Sequence, residues 1–197
     1  MCYSQTLTIG TQVWSEKNLA VSTFRNGDPI PEAKTYAEWR EAAKNQQPAW
    51  CYYENKQANE EVYGKLYNWY AVNDSRGLAP EGWRIPSDED WTVLIDFLGG
   101  GREAGVKMKS TTLWDDYVGS GNGTNESGFL GLPGGCRNQD ADFYSFEMMG
   151  EDGGWWCSTA RSSTEAWSRS LTHMDGVAYR SYYEKVRGLS VRCVKNN

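Results

Sequence analysis

Beyond Gly99 the chain almost stops signalling helix. "REAGVKMKS" (residues 102–110) has room for one or two turns, and the chain after it is Gly- and Ser-rich loop broken by short Trp-bearing runs. Such a half reads as loops and short strands. The first half differs. In "PSDEDWTVLIDFLGG" Ser87 is a good N-cap, and Asp88, Glu89 and Asp90 put negative charge at the positive end of the helix dipole. Trp91, Leu94, Ile95 and Leu98 make one apolar stripe, and Gly99-Gly100 ends the helix. Leu66, Trp69, Tyr70 and Asn73 fall at helical spacing, so a first main helix is predicted over Val62–Asp74, with a shorter one over Thr35–Asn45. "TLTIGTQVWSEKNL" reads as a strand or hairpin, and Asn26-Gly27 with two prolines marks turns. Short strands are expected at "AWCYYEN", "GFLGLPGG", "GGWWCST", "AWSRSL" and "GLSVRCVK". The class is α+β: strands and two main helices first, then a long loop-and-strand half. No internal repeat interrupts it, so residues 1–197 read as a single domain.

Composition removes several functions. Net charge is -6 with no basic run, so binding through a nucleic-acid backbone is not expected. No apolar stretch is long enough to span a membrane, and the first residues lack the basic and apolar regions of a secretory signal. Aromatics make up 14 % of the chain, which points to large plates in the core. The five cysteines, Cys2, Cys51, Cys136, Cys157 and Cys193, show no zinc spacing, and no metal or cofactor is expected.

The chemical motifs are weak. His173 is the one histidine and has no GxSxG partner, so it reads as a loop residue. Asp115-Asp116 and Glu151-Asp152 are adjacent acids in Gly-rich turns rather than convergent catalytic carboxylates. Asn122, Asn125 and Glu126 offer oxygens without the spacing of a calcium loop, and the Gly-rich stretches lack a P-loop's Lys and hydroxyl. In "AWSRSLT", strand parity puts Trp167, Arg169 and Leu171 on one face and Ser168, Ser170 and Thr172 on the other. The first face is expected to build the scaffold and the second to be an exposed presenting surface. By the same parity, at most one of Trp155 and Trp156 is available to a ligand.

Together "NWYAVND", "GLAPEGWRIPSDEDWTVL", "NESGFLGLPGG", "GWWCST", "AWSRSL" and "GLSVRCVK" resemble the Fibrobacter-type major paralogous domain family, from "TIGTQVWSEKNL" to the last strand. The resemblance implies a C-type-lectin-like fold, with paired terminal strands and a long loop region over two helices. Some members look like variable proteins of diversity-generating retroelements, in which Asn codons of a template scatter into other residues. The sequence carries a matching asymmetry. Residues 1–138 hold ten Asn and residues 139–195 hold none, where about four would be expected at the earlier density. Ser, Thr, Tyr, Asp, Gly, Ala and Arg, all reachable from Asn codons by changing adenines, stand instead. Glu147, Met148, Glu151, Met174 and Glu184 would need other template codons. Cys136 stands where the family has Tyr and Cys157 where it has Ser, while Ala79 and Glu61 replace upstream cysteines. The disulfides that those upstream cysteines imply in other members are therefore not expected here.

The resemblance therefore implies a binding protein and not an enzyme, with a variable surface drawn from residues 139–187. Its expected members are Tyr144, Glu147, Met148, Asp152, Arg161, Ser162, Ser168, Ser170, Thr172, Met174, Asp175, Tyr179, Ser181, Tyr182, Tyr183, Glu184, Val186 and Arg187. Tyr179, Tyr182 and Tyr183 are the expected solvent-facing aromatic anchors, and Trp167 the buried frame residue. The implied ligand is a macromolecule, above all a cell-surface protein, in the setting of a phage or bacterial surface. Two alternatives stand beside it. One is a carbohydrate-binding module, although the Pro-flanked and Trp-Asn-Asp motifs of calcium-dependent lectins are missing. The other is a formylglycine-generating type of oxidase working through Cys136 and Cys157.

Overall fold

The fold is that of a computed structural model describing residues 6–119, 121–138 and 145–196. In chain order it runs β1 (Thr6–Ile9), β2 (Gln12–Ser15), α1 (Tyr36–Lys44), β3 (Trp50–Cys51), α2 (Glu60–Tyr63), β4 (Leu66–Tyr67), α3 (Trp69–Val72), β5 (Trp83–Arg84), α4 (Asp88–Phe97) and α5 (Gly101–Met108). Then come β6 (Gly134–Arg137), β7 (Phe146–Met149), β8 (Asp152–Ala160), β9 (Glu165–Thr172), β10 (Tyr179–Glu184) and β11 (Val194–Lys195). Among the described residues these form a four-stranded sheet (β1-β2-β11-β5), a five-stranded sheet (β10-β9-β8-β6-β7) and a short β3-β4 pair. The arrangement is α+β.

Helix α4 matches its sequence signals. Ser87 Oγ accepts from the Asp90 N–H at 3.1 Å and the Asp90 carboxylate accepts from the Ser87 N–H at 2.7 Å. That reciprocal cap stabilises the helix by about 1 kcal/mol. The helix buries Trp91, Leu94 and Ile95. The predicted helix over Val62–Asp74 breaks instead into α2, β4 and α3. Gly64 adopts φ +73, and a Cβ there would stand 2.9 Å from the Leu19 carbonyl. The chain straightens after it so that Leu66 and Tyr67 can pair with Cys51 and Trp50.

The five-stranded sheet is covered on both faces. Trp155, Cys157 and Leu171 join Trp14, Trp91, Leu94 and Phe129 in one core cluster. Trp156, Ala166 and Cys136 join Tyr67, Trp69, Leu189 and Val191 in another. The strand expected over Gly188–Lys195 is regular only at Val194–Lys195. Before that it is a buried thread with single bridges from Gly188 to Arg137, Leu189 to Tyr67 and Ser190 to Trp155. It then reaches β2, where the Ser15 N–H donates to the Cys193 carbonyl at 2.9 Å.

Five of the six buried cations among the described residues pin the loops. Each lies over an aromatic ring and donates to main-chain carbonyls: Lys65 over Trp50, Lys109 over Trp114, Arg137 over Trp39, Lys185 over Trp69 and Arg192 over Phe129. A buried charge is expensive to desolvate, and carbonyl lone pairs and ring quadrupoles offset that cost, as does the Glu60 carboxylate for Lys65. Lys109 Nζ holds the Thr172 and Asp175 carbonyls at 3.1 and 2.7 Å, and burial pulls its pKa down. Lys185 Nζ holds those of Ser162 and Ser163, both at 2.9 Å. The two turns flanking β9 are thus held from beneath by their backbone, whatever side chains they carry.

Candidate functional site

Strand β10 is an edge strand, and its register on β9 sorts the expected surface into two faces. Tyr179, Ser181 and Tyr183 lie opposite Ser170, Ser168 and Ala166 on one face. Arg180, Tyr182 and Glu184 lie opposite Arg169, Trp167 and Glu165 on the other. The expected surface residues therefore wrap the sheet edge rather than form one sheet face.

On the first face a shallow depression is lined by Gly135, Cys136, Met148, Asp152, Gly154, Ser170, Tyr183, Arg187 and Leu189. Met148 reaches it from β7 through a left-handed backbone, φ +65. The Arg187 guanidinium lies over the Tyr183 ring at 4.3 Å and donates to Cys136 Sγ at 2.9 Å. Its Nε is buried, with no hydrogen-bond partner among the described residues. Burial pushes the Cys136 thiol and the Tyr183 phenol above their ordinary values. Burial also raises the Asp152 carboxyl, against the opposing pull of the Thr172 hydroxyl, His173 and Arg187.

A raised carboxyl is favoured protonated in the fold. The favourable difference is complete below the unfolded pKa and disappears as pH rises through the folded value. Asp152→Asn is therefore expected to raise the denaturation midpoint at pH 7, with the gain shrinking towards pH 4. An equal shift at both pH values would refute burial as the cause.

Several expected surface residues are not on the surface. Ser168 is fully buried and Thr172 is buried, so their strand face is not the exposed presenting surface. The reason is that a core cluster covers this face of the sheet as well. Ser168 sits between Trp156 on β8 and Ser181 on β10, and it and Thr172 belong to the floor. Ser170 is half-buried, with its hydroxyl 3.2 Å from that of Ser181. Tyr183 is half-buried and packed on the core, so it is not a solvent-facing anchor, whereas Tyr182 is 46 % exposed. Trp155 and Trp156 are both fully buried, so neither is free to stack on a sugar. Tyr183→Ala is expected to cost about 2–3 kcal/mol and Tyr182→Ala under about 1 kcal/mol in urea denaturation. The reverse order would contradict this assignment of faces.

The second face carries a stacked ladder. The Arg161 guanidinium lies 3.8 Å from the Tyr182 ring centre, Tyr182 meets Trp167 edge-on at 5.9 Å, and Arg180 covers Trp167 at 3.4 Å. Arg180 and the buried Arg169 both reach the Asp88 carboxylate, at 2.8 and 2.5 Å. Trp167 is only half-buried, not sealed in the core, because Arg180 forms its outer lid. Arg161 pairs with Glu165, and Tyr179 donates to Asp175 at 2.6 Å.

The remaining expected residues scatter. Glu147 lies in β7 opposite Cys136. Ser162 accepts from two N–H groups of its own turn, and the Val186 carbonyl accepts from the Trp39 indole. Met174 is exposed in the β9–β10 loop. Tyr144 lies outside the described residues. Asn122 and Asn125 turn their side-chain oxygens to the Trp114 and Leu130 N–H groups, closing the loop as a turn. Among the described residues no three His, Cys, Asp or Glu side chains gather for a metal ion. Cys136 and Cys157 lie on opposite faces of the sheet, in different core clusters. Burial pushes the Cys157 thiol up to about 12, so the two cannot act as an activated pair.

A family model described as the Fibrobacter succinogenes major domain matches residues 7–195. No curated protein and no solved structure matches the chain.

Proposed function

We propose that this chain, which belongs to the Fibrobacter succinogenes major domain family, is a binding protein: a C-type-lectin-like scaffold presenting a diversified surface from residues 139–187. The observation that carries the proposal is the absence of Asn from residues 139–195 beside ten in residues 1–138. Three features support it. The β10 edge exposes Tyr179 and Tyr182, large amphipathic side chains that order at low entropic cost. Buried cations hold the flanking turns by backbone carbonyls, so side chains there can change without releasing the chain. The depression beside Arg187 is too shallow to enclose a small molecule, which favours a macromolecule contacting it with a protruding group. The working surface is then the β10 edge, the depression and the β9–β10 loop, with Ser168 and Thr172 as floor.

Sequencing the DNA around the coding region tests this. The expected result is a near-copy of the segment encoding residues 139–195, differing only at adenines and lying beside a reverse-transcriptase gene. Variation at other bases, or no such copy, would overturn diversification.

A further inference from the structure

An exposed apolar loop outside residues 139–187 is anchored to the β7–β8 turn, whose flanking Met148 and Asp152 line the depression. The segment Leu113–Gly119 exposes Leu113 and Tyr117, and Val118 is 95 % exposed. Leu113 and Val118 have φ +77 and +51, in the left-handed region that branched side chains avoid. Strained, solvent-facing apolar residues add nothing to the core. The loop is nevertheless docked. The Asp115 N–H donates to the Gly150 carbonyl at 2.8 Å, and Tyr117 meets the His173 ring edge-on at 5.3 Å. Gly150 sits in the turn between β7 and β8, next to exposed Met148, while Met174 is exposed one residue beyond His173. The exposed apolar side chains of Leu113, Tyr117 and Val118 are thus carried by a loop anchored beside two exposed methionines of residues 139–187, Met148, which lines the depression, and Met174. The fringe is acidic: Asp115, Asp116, Glu147 and Glu151.

We infer that this loop is a constant wall of the binding surface, and that the partner is a protein segment whose apolar side chains are flanked by Lys or Arg. The inference rests on the proposed binding function. Leu113, Val118, Met148 and Met174 supply desolvated aliphatic contact, and the acidic fringe complements basic flanks.

The test is selection from a displayed library of random peptides on the whole chain, followed by titration of synthetic versions of the enriched peptides. Enriched sequences should share Lys- or Arg-flanked apolar residues. They should bind Val118→Ser or Leu113→Ser about tenfold more weakly and lose affinity as salt rises. Unchanged thermal midpoints of these exposed-site variants are the folding control. Peptides that ignore both loop changes but fail on Tyr179→Ser or Tyr182→Ser would overturn the wall and leave the binding surface standing. Peptides that need the loop and ignore both Tyr changes would keep the wall and overturn the β10 edge as the surface. Enrichment without basic residues, or no enrichment, would overturn the inference.

Discussion

Arg192→Met is expected to destabilise the protein by about 4 kcal/mol or more, a large fraction of the stability of an ordinary domain. Arg192 is fully buried. Its Nε donates to Asn18 Oδ1 at 2.8 Å, Nη1 to the Ser15 and Glu16 carbonyls at 2.8 and 2.6 Å, and Nη2 to the Leu130 carbonyl at 3.0 Å. Met fills part of the volume and satisfies none of these acceptors. The same Asn18 oxygen also accepts from the Trp155 indole at 2.8 Å, so the loss reaches the centre of the sheet. Arg192→Lys keeps the charge but not the planar fork and should recover only part of the loss. Urea denaturation measures both. A cost below about 1 kcal/mol for Arg192→Met would show that water takes over the acceptors and that the clamp is not structural.

The second large effect belongs to Arg169. Arg169→Met should cost about 3–5 kcal/mol, because it leaves the Asp88 carboxylate beside a buried face with only the exposed Arg180. Arg180→Met should cost about 1 kcal/mol, since its guanidinium is half exposed. Both should also change the acid limb of stability. Burial alone would raise the Asp88 carboxyl, but hydrogen bonds from Arg180 and Arg169 outweigh it and hold it below the usual range. A depressed carboxyl stabilises the fold above its unfolded pKa and loses that contribution as pH falls through the folded value. Wild type should therefore lose stability below about pH 4, and Arg169→Met should show a shallower fall. Equal costs for the two arginines would contradict the different burial of the two pairs.

The parts legible in sequence are those where local chemistry decides. Ser87, the acids after it and Gly99-Gly100 delimit α4 without help from the rest of the fold, and the short helix expected over Thr35–Asn45 forms as α1. The Val62–Asp74 helix fails because one close approach, Gly64 against the Leu19 backbone, outweighs a favourable apolar spacing. The parity of β9 is right: Arg169 and Leu171 face one way, Ser168 and Ser170 the other. The error is in taking the small polar face as wet. Alternation implies a wet face only when one side of the sheet is packed, and here both are. Tyr183 differs from Tyr182 for the same reason. The Leu113–Gly119 loop is silent in sequence because exposed apolar residues in a Gly-rich stretch have no periodicity to reveal them.

The buried clamps also set a timescale. Arg192 closes on residues 177 and 176 positions away, Trp155 on one 137 away and Arg137 on one 104 away. Contacts this distant require most of the chain's closure entropy to be lost before any of them forms, so folding is slow. Whatever part of these interactions forms after the folding barrier must also break before unfolding can proceed. The chain is expected to be persistent as well as stable, keeping its surface intact between encounters long after a faster-unfolding domain of equal free energy would have opened.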